Sequence, residues 1–263
     1  MKKYLVIGNP IEHSLSPKLH NFWIKINRLN ATYEKKKLNE NELADLIYEV
    51  KKKNIHGINV TVPFKKAVIP YLDHLSFESN STQSVNTIYL DNNKLIGHNT
   101  DIEGFERSIQ NLELDIINKK VLVLGAGGVV PSIIFALNKM KVSLITISNR
   151  TKSKAENIKD LFKNIKIVEW GEFPEFDIII NATSIGLKND DKIGLDISKI
   201  GKNKFFYDVI YKPNETNFLK VGKKLGSRTE NGKSMFIYQA LASFKIWHGI
   251  QPEINREVFK ILD

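Results

Sequence analysis

The sequence predicts an α/β protein with an N-terminal, mostly parallel α/β domain and a second α/β domain behind it. Short apolar runs that are typical of strands alternate with amphipathic helical stretches through most of the 263 residues, and strands separated by helices form mostly parallel sheets. A second alternation begins near Lys119. We expect a first domain over residues 1–101 that is completed by residues 238–263, and a second domain over residues 102–237.

The first domain is predicted to alternate strand and helix up to a hairpin. We expect strands at 4–8, 32–37 and 55–62, and helices at 17–29, 40–52 and 64–71. The polar stretch 76–84 is expected to be irregular. Asp91-Asn92-Asn93 separates two alternating runs at 86–90 and 94–98, which predicts a β-hairpin and so a local antiparallel edge.

The second domain is predicted from a buried strand at 121–124 and the elements after it. We expect helices at 132–140 and 152–162, and further strands at 142–148, 165–168, 177–181 and 205–209. From Gly232 onward the apolar residues predict a long packed helix. Because this helix follows the second domain, we expect the chain to return there and complete the first.

Composition indicates a soluble chain with a packed core. Hydrophobic residues make up 42% of it and cysteine is absent, which agrees with a cytoplasmic location. No apolar run reaches the length of a membrane span, so we expect no membrane partner. The formal net charge of +10 comes from lysines scattered over the chain with few aromatic residues between them. We therefore expect no nucleic-acid partner.

A glycine-rich turn after the 121–124 strand indicates a nucleotide site. Gly125-Ala126-Gly127-Gly128 lies between a strand and a helix, where backbone amides and the helix N-terminus favour a pyrophosphate. This placement predicts a Rossmann-type dinucleotide-binding domain. At the end of the next strand Arg150 stands where an NAD enzyme usually has an acidic residue, so NADP is favoured. The alternative is a helix start with a surface arginine.

Polar residues also gather at predicted strand ends of the first domain. Ser14 and Ser16 precede a helix that starts at Pro17, and Ser16 is expected to cap free amides there. Asn59 and Thr61 project to one side of a strand, and Lys65 follows directly. Asp101 and Lys65 are candidates for proton transfer in one cleft. Taken singly, Lys65 fits better as a surface lysine and Asp101 as a helix cap.

Together these motifs resemble the shikimate dehydrogenase family. The segments that carry the resemblance run in order over essentially the whole chain: GNPIEHSLSPKLHN (8–21), NVTVPFK (59–65), VNT (85–87), NTD (99–101), GAGG (125–128), NRT (149–151), NATS (181–184) and DVIY (208–211). The resemblance implies reversible, NADPH-dependent reduction of 3-dehydroshikimate to shikimate in aromatic amino-acid biosynthesis. It also implies a small-molecule substrate and NADP as cofactor.

The resemblance further implies a role for each matching residue. Lys65 is the catalytic lysine and Asp101 its partner. Substrate-binding residues would be Ser14, Ser16, Asn59, Thr61, Asn86, Tyr211 and Gln239. Cofactor-binding residues would be Gly125, Ala126, Gly127, Gly128, Val129, Asn149, Arg150, Thr151, Lys152, Ser153, Lys154, Thr183, Ser184, Val209, Gly232 and Met235.

Other interpretations of the sequence stay open at this stage. The nearest is a quinate/shikimate dehydrogenase with a broader substrate range or NAD use. A non-catalytic NADP-binding protein of the same fold is a second, since fold does not fix function, and a basic nucleic-acid-binding module is the third. We expect no metal, because His13, His20 and His98 fit structural roles better. The chain is expected to be a monomer or a homodimer.

Overall fold

The computed structural model describes residues 1–188, 191, 193–197 and 200–263. They form two compact units, one of Met1–Gly104 with Ile237–Asp263 and one of Phe105–Phe236. The predicted α/β class is confirmed by two six-stranded, mostly parallel sheets. The first division, after Gly104, lies three residues beyond the domain boundary predicted after residue 101. The second, after Phe236, lies one residue before the boundary predicted after residue 237. That each unit is an independent domain stays a prediction.

The first unit has a mixed sheet with the order β2-β1-β3-β5-β6-β4. β1 is parallel to β2 and β3, whereas β5 runs antiparallel to β3 and β6. Its elements in chain order are β1 (Lys2–Gly8), α1 (Ser16–Ile26), β2 (Ala31–Lys37), α2 (Leu43–Lys51), β3 (Gly57–Val60), β4 (His74–Leu75), α3 (Phe77–Thr82), β5 (Thr87–Asp91) and β6 (Lys94–His98).

The core of the first unit is the contact between this sheet and α2. Leu43, Leu46, Ile47 and Val50 recur at helical spacing and are all buried, so one stripe of α2 faces the sheet. They pack in one cluster with Leu5, Ile7, Ile58, Val60 and Ile88 of the strands. This packing fixes the carboxyl ends of β1 and β3, where the predicted polar residues follow.

The second unit has a six-stranded sheet in which every pair of neighbouring strands is parallel. Its order is β12-β11-β10-β7-β8-β9, which is the doubly wound order of dinucleotide-binding folds. The remaining elements of the chain, in order, are α4 (Thr100–Gln110), β7 (Lys120–Leu124), α5 (Val130–Lys139), β8 (Leu144–Ser148), α6 (Lys152–Leu161), β9 (Lys166–Val168), β10 (Ile178–Asn181), β11 (Phe205–Asp208), α7 (Asn217–Lys224), β12 (Arg228–Glu230), α8 (Lys233–His248) and α9 (Arg256–Lys260). All of these from β7 to β12 belong to the second unit, whereas α4 and α8 pass from one unit to the other and α9 belongs to the first.

Both passages of the chain between the units lie inside helices. α4 and α8 each contain one of the division points. The long packed helix predicted from Gly232 onward is α8, and its residues from Ile237 onward belong to the first unit. No helix in the described part of the chain is long and apolar enough to cross a membrane.

The structure corrects three local predictions. Residues 76–84 were expected to be irregular but contain α3, because Ser76 accepts a capping bond from the Ser79 amide and Gln83 ends the helix in a left-handed conformation. Most of the predicted helix 64–71 is a series of turns. Ser16 does not cap α1; Leu15 holds the capping position, and Ser14 Oγ accepts from the Ser16 amide at 3.3 Å.

Four short elements were not predicted from the sequence: β4, α7, β12 and α9. β4 has two residues and β12 has three, too few to show a period. α7 spans Asn217–Lys224 and carries three lysines in eight residues, which conceals its buried face. The predicted hairpin is confirmed, with Asn92 and Asn93 both at positive φ, as a tight turn between strands requires.

Candidate active site

The loop after β1 carries Ser14 and Ser16 to the carboxyl end of the first sheet. Glu12 holds this loop, since its Oε2 accepts from the Ile11 amide at 2.9 Å and its Oε1 from Lys37 Nζ at 3.1 Å. Hydrogen bonds from its own backbone amide, from Lys37 and from the Ile11 amide lower the pKa of the Glu12 carboxyl to about 2. The Ser14 amide donates to the Ile11 carbonyl. Ser14 is thus held within a closed turn.

The loop after β3 lies beside this first loop. The Thr61 amide donates to the Ile7 carbonyl at 2.9 Å, and the Asn9 amide donates to the Val62 carbonyl at 3.0 Å. A Cβ on Gly8 would lie 2.6 Å from a Thr61 methyl group, so only glycine permits this approach. The structure therefore brings the predicted residues of both loops to one edge of the sheet.

Lys65 and Asp101 form an ion pair at this edge. Lys65 Nζ donates to Asp101 Oδ2, and the exposed fractions of the two side chains are only 12% and 9%. The Lys65 carbonyl accepts from the Val85 amide, which fixes its backbone. Asp101 lies in the first turn of α4, where its amide donates to Asn99 Oδ1. A charge pair with so little solvent around it is strongly coupled.

Asn86 connects this pair to the rest of the site. Its Nδ2 donates to Asp101 Oδ1 at 3.0 Å and to Thr100 Oγ1 at 2.9 Å. Its Oδ1 accepts from the Thr100 amide at 2.8 Å. Asn59 Nδ2 donates to the Asn86 carbonyl at 3.1 Å. Asn59, Asn86 and Asp101 therefore form one buried polar group.

The two remaining predicted substrate residues fall in different units. Gln239 lies in α8 within the first unit, and Tyr211 belongs to the second. Tyr211 stacks on Phe236 with 4.5 Å between the ring centroids. Both predicted side chains are partly exposed. The geometry of the first unit thus unites Ser14, Ser16, Asn59, Thr61, Lys65, Asn86 and Asp101, whereas Tyr211 stacks on a residue of the second unit.

The glycine turn of the second unit follows β7 as predicted. Gly125 has a φ of +110°, and a Cβ there would lie 2.9 Å from the Ala182 carbonyl oxygen. Gly127 and Gly128 are exposed, and for Gly127 the single atom within 4 Å of an added Cβ is that same carbonyl oxygen, at 3.8 Å. The turn therefore leaves open backbone before α5, as a pyrophosphate at a helix N-terminus needs.

Arg150 follows the neighbouring strand β8 and is exposed. Within the described ranges, no hydrogen bond or ion pair occupies its guanidinium group. Thr151 holds the capping position of α6 but its side chain accepts no capping bond. Asn149 Nδ2 donates to the Thr151 carbonyl at 2.7 Å. Lys152 is engaged with Glu169 at 2.9 Å, and Ser153 and Lys154 are exposed on the first turn of α6.

The other predicted cofactor residues lie on loops after β10 and β11. Thr183 Oγ1 donates to Asn181 Oδ1 at 2.7 Å, and Ser184 is exposed beside it. The Val209 amide donates to the Asn181 carbonyl. Gly232 packs so closely on Val209 that an added Cβ would lie 2.1 Å from its carbonyl oxygen. Met235 follows in α8 and is buried.

Asp208 is a buried carboxylate that the sequence analysis did not single out. Its Oδ1 accepts from Asn181 Nδ2 at 3.1 Å and from the Ile210 amide at 3.0 Å, and its Oδ2 from Thr216 Oγ1 at 2.6 Å. Burial raises its pKa to about 6. Asp208 ties the loops after β10 and β11 to the start of α7. The available signal was its motif DVIY, in which Val209 and Tyr211 received roles and Asp208 did not.

Tyr33 is the second residue that the sequence analysis missed. Its hydroxyl donates to Asn59 Oδ1 at 2.7 Å, and burial raises its pKa well above the usual value of 10.0. A tyrosine in a strand is normally a packing residue, so no sequence signal distinguished it. Across the residues with described positions there is no cluster of three or more acidic, histidine or cysteine side chains that could hold a metal ion.

Comparisons with known proteins agree with this geometry. The family profile described as "Shikimate dehydrogenase substrate binding domain" matches residues 6–88, and the one described as "Shikimate / quinate 5-dehydrogenase" matches residues 107–189. The chain is 59% identical over 262 residues to a protein of Pelagibacter ubique (strain HTCC1062) named shikimate dehydrogenase (NADP(+)), with 100% of this chain and 99% of that protein covered.

Two crystal structures have the same fold over almost the whole chain. Shikimate dehydrogenase from Aquifex aeolicus superposes with a TM-score of 0.90 at 36% identity, covering 100% of this chain and 97% of that one. Shikimate 5-dehydrogenase from Thermus thermophilus, solved with NADP(H) and shikimate, superposes with a TM-score of 0.88 at 30% identity, covering 96% and 95%.

The doubly wound sheet, the glycine turn and the buried lysine–aspartate pair define a dinucleotide-dependent oxidoreductase. The chain belongs to the shikimate dehydrogenase family. This confirms the resemblance and the fold class predicted from the sequence.

Proposed function

We propose that this chain catalyses the reversible NADPH-dependent reduction of 3-dehydroshikimate to shikimate. The observation that carries the proposal is the buried ion pair of Lys65 and Asp101 beside the serine loop. The predicted enzyme class, an NADP-dependent oxidoreductase that acts on a CH–OH group, and the predicted cofactor NADP are confirmed by relatives named for that activity.

The protein's task in this reaction is to hold a ring and to manage one proton. When bound, NADP(H) supplies the hydride that is exchanged with the reacting ring carbon. As an ammonium group, Lys65 has three donors, of which one is directed at Asp101. A second donates to the substrate oxygen that becomes the alkoxide and passes it the proton; in the oxidative direction the neutral amine takes the proton back.

The other residues of the first unit anchor the substrate. Ser14 and Ser16 bind the substrate carboxylate, since hydroxyl groups donate to such an anion. Asn59, Thr61, Asn86 and Asp101 hydrogen-bond the ring hydroxyls and set the ring against Lys65. Gln239 and Tyr211 complete the set. Their assignment rests on the family motif and, for the residues at the sheet edge, on the proximity of the loops after β1 and β3.

The residues of the second unit fit the cofactor. The open glycine turn of Gly125 to Val129 takes the pyrophosphate, and the free guanidinium of Arg150 takes the 2′-phosphate through paired donors. Asn149, Thr151, Lys152, Ser153 and Lys154 surround that phosphate. Thr183, Ser184, Val209, Gly232 and Met235 line the part of the site after β10 and β11.

An absorbance assay of NADPH formation tests this function. Purified protein is given shikimate or quinate, each with NADP or with NAD, and reduction is followed with time. We expect rapid reduction with shikimate and NADP and much slower reduction in the other three mixtures. A chain that binds NADP but reduces it with neither substrate would overturn the proposal in favour of a non-catalytic binding protein. The broader quinate-using enzyme is not favoured, since the curated relative is named for shikimate and NADP(+).

The remaining expectations stay predictions. Small molecules as substrates agree with the ligands named for the Thermus thermophilus structure. We expect a cytoplasmic location, no nucleic-acid partner, and a monomeric or homodimeric state.

A further inference from the structure

The Tyr33 hydroxyl is one end of a buried chain of hydrogen bonds that ends at Asp101. It donates to Asn59 Oδ1 at 2.7 Å. Asn59 Nδ2 donates to Thr87 Oγ1 at 3.1 Å, Thr87 Oγ1 donates to Asn86 Oδ1 at 3.0 Å, and Asn86 Nδ2 donates to Asp101 Oδ1 at 3.0 Å. Each of the five residues is less than a tenth exposed, so water does not compete for these bonds.

The two ends of the chain fix its direction. At one end burial keeps the pKa of Tyr33 well above its usual value. Tyr33 therefore keeps its proton and offers it to Asn59. At the other end Asp101 accepts from Lys65 and Asn86. Every amide between the ends has one favourable orientation, because a flipped Asn59 would place its NH₂ group against the Tyr33 proton.

Tyr33 is held both at its ring and at its backbone. His20 stacks on it with 4.1 Å between centroids and 6° between planes, and burial lowers the pKa of His20 to about 3, so the imidazole is neutral. Asn21 clamps the backbone of Tyr33: Nδ2 donates to its carbonyl at 2.7 Å and Oδ1 accepts from its amide at 3.0 Å. The hydroxyl therefore has little freedom to leave Asn59.

We propose that Tyr33 is a positioning residue for the substrate, which fixes the orientation of the Asn59 amide at the start of the chain of hydrogen bonds that leads to Asp101. The inference rests on the proposed function of this site. Tyr33 acts through Asn59 and transfers no proton itself. With Asn59 Nδ2 saturated by Asn86 and Thr87, the second lone pair of Oδ1 is left for a ring hydroxyl.

The experiment compares Tyr33→Phe with Tyr4→Phe. The control removes the same atom from the same buried aromatic region. Tyr4 is 1% exposed and its ring lies tilted against that of Trp247 with 5.0 Å between the centroids, but its hydroxyl is not part of the chain of hydrogen bonds. We expect Tyr33→Phe to raise the KM for shikimate about tenfold, as loss of a buried hydrogen bond does. The KM for NADP should stay within about twofold, since Tyr33 lies in the unit that lacks the glycine turn.

A double-mutant cycle with Asn59→Ala separates positioning from general damage. If Tyr33 acts through Asn59, the effect of Tyr33→Phe on kcat/KM should largely disappear in the Asn59→Ala background. An undiminished effect there, an unchanged KM for shikimate in the single variant, or an equal change in Tyr4→Phe would each overturn the inference. Wild-type protein without shikimate oxidation would instead refute the proposed function, so the two failures are distinguishable.

Discussion

Asp101 uses both carboxylate oxygens inside the protein, and Lys65 holds one of them. Asn86 Nδ2 donates to Oδ1 at 3.0 Å and Lys65 Nζ donates to Oδ2. The lysine is therefore not a mobile surface group. Its ammonium is aimed along one direction by a carboxylate that is itself fixed, which is the arrangement required of an acid that must meet one substrate oxygen.

Replacement of Lys65 by methionine tests this arrangement. Lys65→Met keeps the stem and removes the proton donor, so we expect kcat to fall about 10²- to 10⁴-fold. Shikimate binding, measured by calorimetry, should weaken far less, because the carboxylate anchors stay in place. Lys66→Met is the matched control, since Lys66 is the next residue and is exposed; its kcat should match that of the wild type. Near-normal turnover in Lys65→Met would show that another group moves the proton.

Arg150→Gln tests the choice of cofactor. The guanidinium is exposed and free of partners in the described structure, so its removal should cost mainly the pairing with the 2′-phosphate. We expect the KM for NADP to rise about 10- to 100-fold and the KM for NAD to change little. Steady-state kinetics with each cofactor at saturating shikimate measures both.

Lys163, two residues after the end of α6, supplies the control for Arg150. Lys163 has an exposed fraction of 77% and pairs with Asp160 on the surface. Lys163→Gln removes one positive charge from the same unit. If it raises the KM for NADP as much as Arg150→Gln does, the effect is general attraction rather than recognition of the phosphate.

Asp208 predicts a specific pH dependence of stability. Burial raises its pKa from 3.8 to about 6 in the folded protein. Between these two values the folded state binds the proton and the unfolded state does not, so the contribution of Asp208 to the free energy of unfolding falls as pH rises. The change amounts to at most about 3 kcal/mol between pH about 4 and about 6.

The Asp208→Asn variant isolates this contribution from the other titrating groups. We expect the difference in free energy of unfolding between wild type and variant, measured by urea titration, to move in favour of the variant from about pH 4 to about pH 6 and then level off. Asp160→Asn, whose side chain is 76% exposed, should show no such trend. A constant difference across this range for Asp208→Asn would contradict the raised pKa.

Gly232→Ala tests the close approach of two backbone segments. The added Cβ would lie 2.1 Å from the Val209 carbonyl oxygen, which is backbone and cannot turn away. We expect a loss of about 2 kcal/mol or more of stability, seen by calorimetry as a lower unfolding temperature. Gly201→Ala is the control, since no atom lies within 4 Å of its added Cβ; its unfolding temperature should stay near that of the wild type.

The sequence predicted most of the fold because the apolar residues of most strands and helices recur at the spacing typical of that element. α2 shows its buried stripe at helical spacing, and the buried runs of β7, β8 and β10 could be placed before the structure was known. The elements it missed are short or polar. In α3, the polar run of Phe77–Thr82 is helical because Ser76 caps it, a local hydrogen bond that no periodicity reveals.

The candidate site divides in the same way. Lys65, Asp101 and the serines stand in motifs, so the sequence assigned them roles. Tyr33 and Asp208 act on those motifs from a distance in the chain of 26 residues or more, and only the folded strands bring them into contact. The supporting role of such a side chain leaves no local pattern, even where the residue itself stands in a motif, as Asp208 does.

Because both loops depend on the single carboxylate of Asp208, the loops after β10 and β11 can be engineered only together. It accepts bonds from Asn181 Nδ2, the Ile210 amide and Thr216 Oγ1, so each loop keeps its shape only while the others supply their donors. If one of these loops were replaced by that of a relative with another cofactor preference, the buried Asp208 carboxylate would lose hydrogen-bond donors. Successful exchanges would have to transfer the Asn, Asp and Thr together.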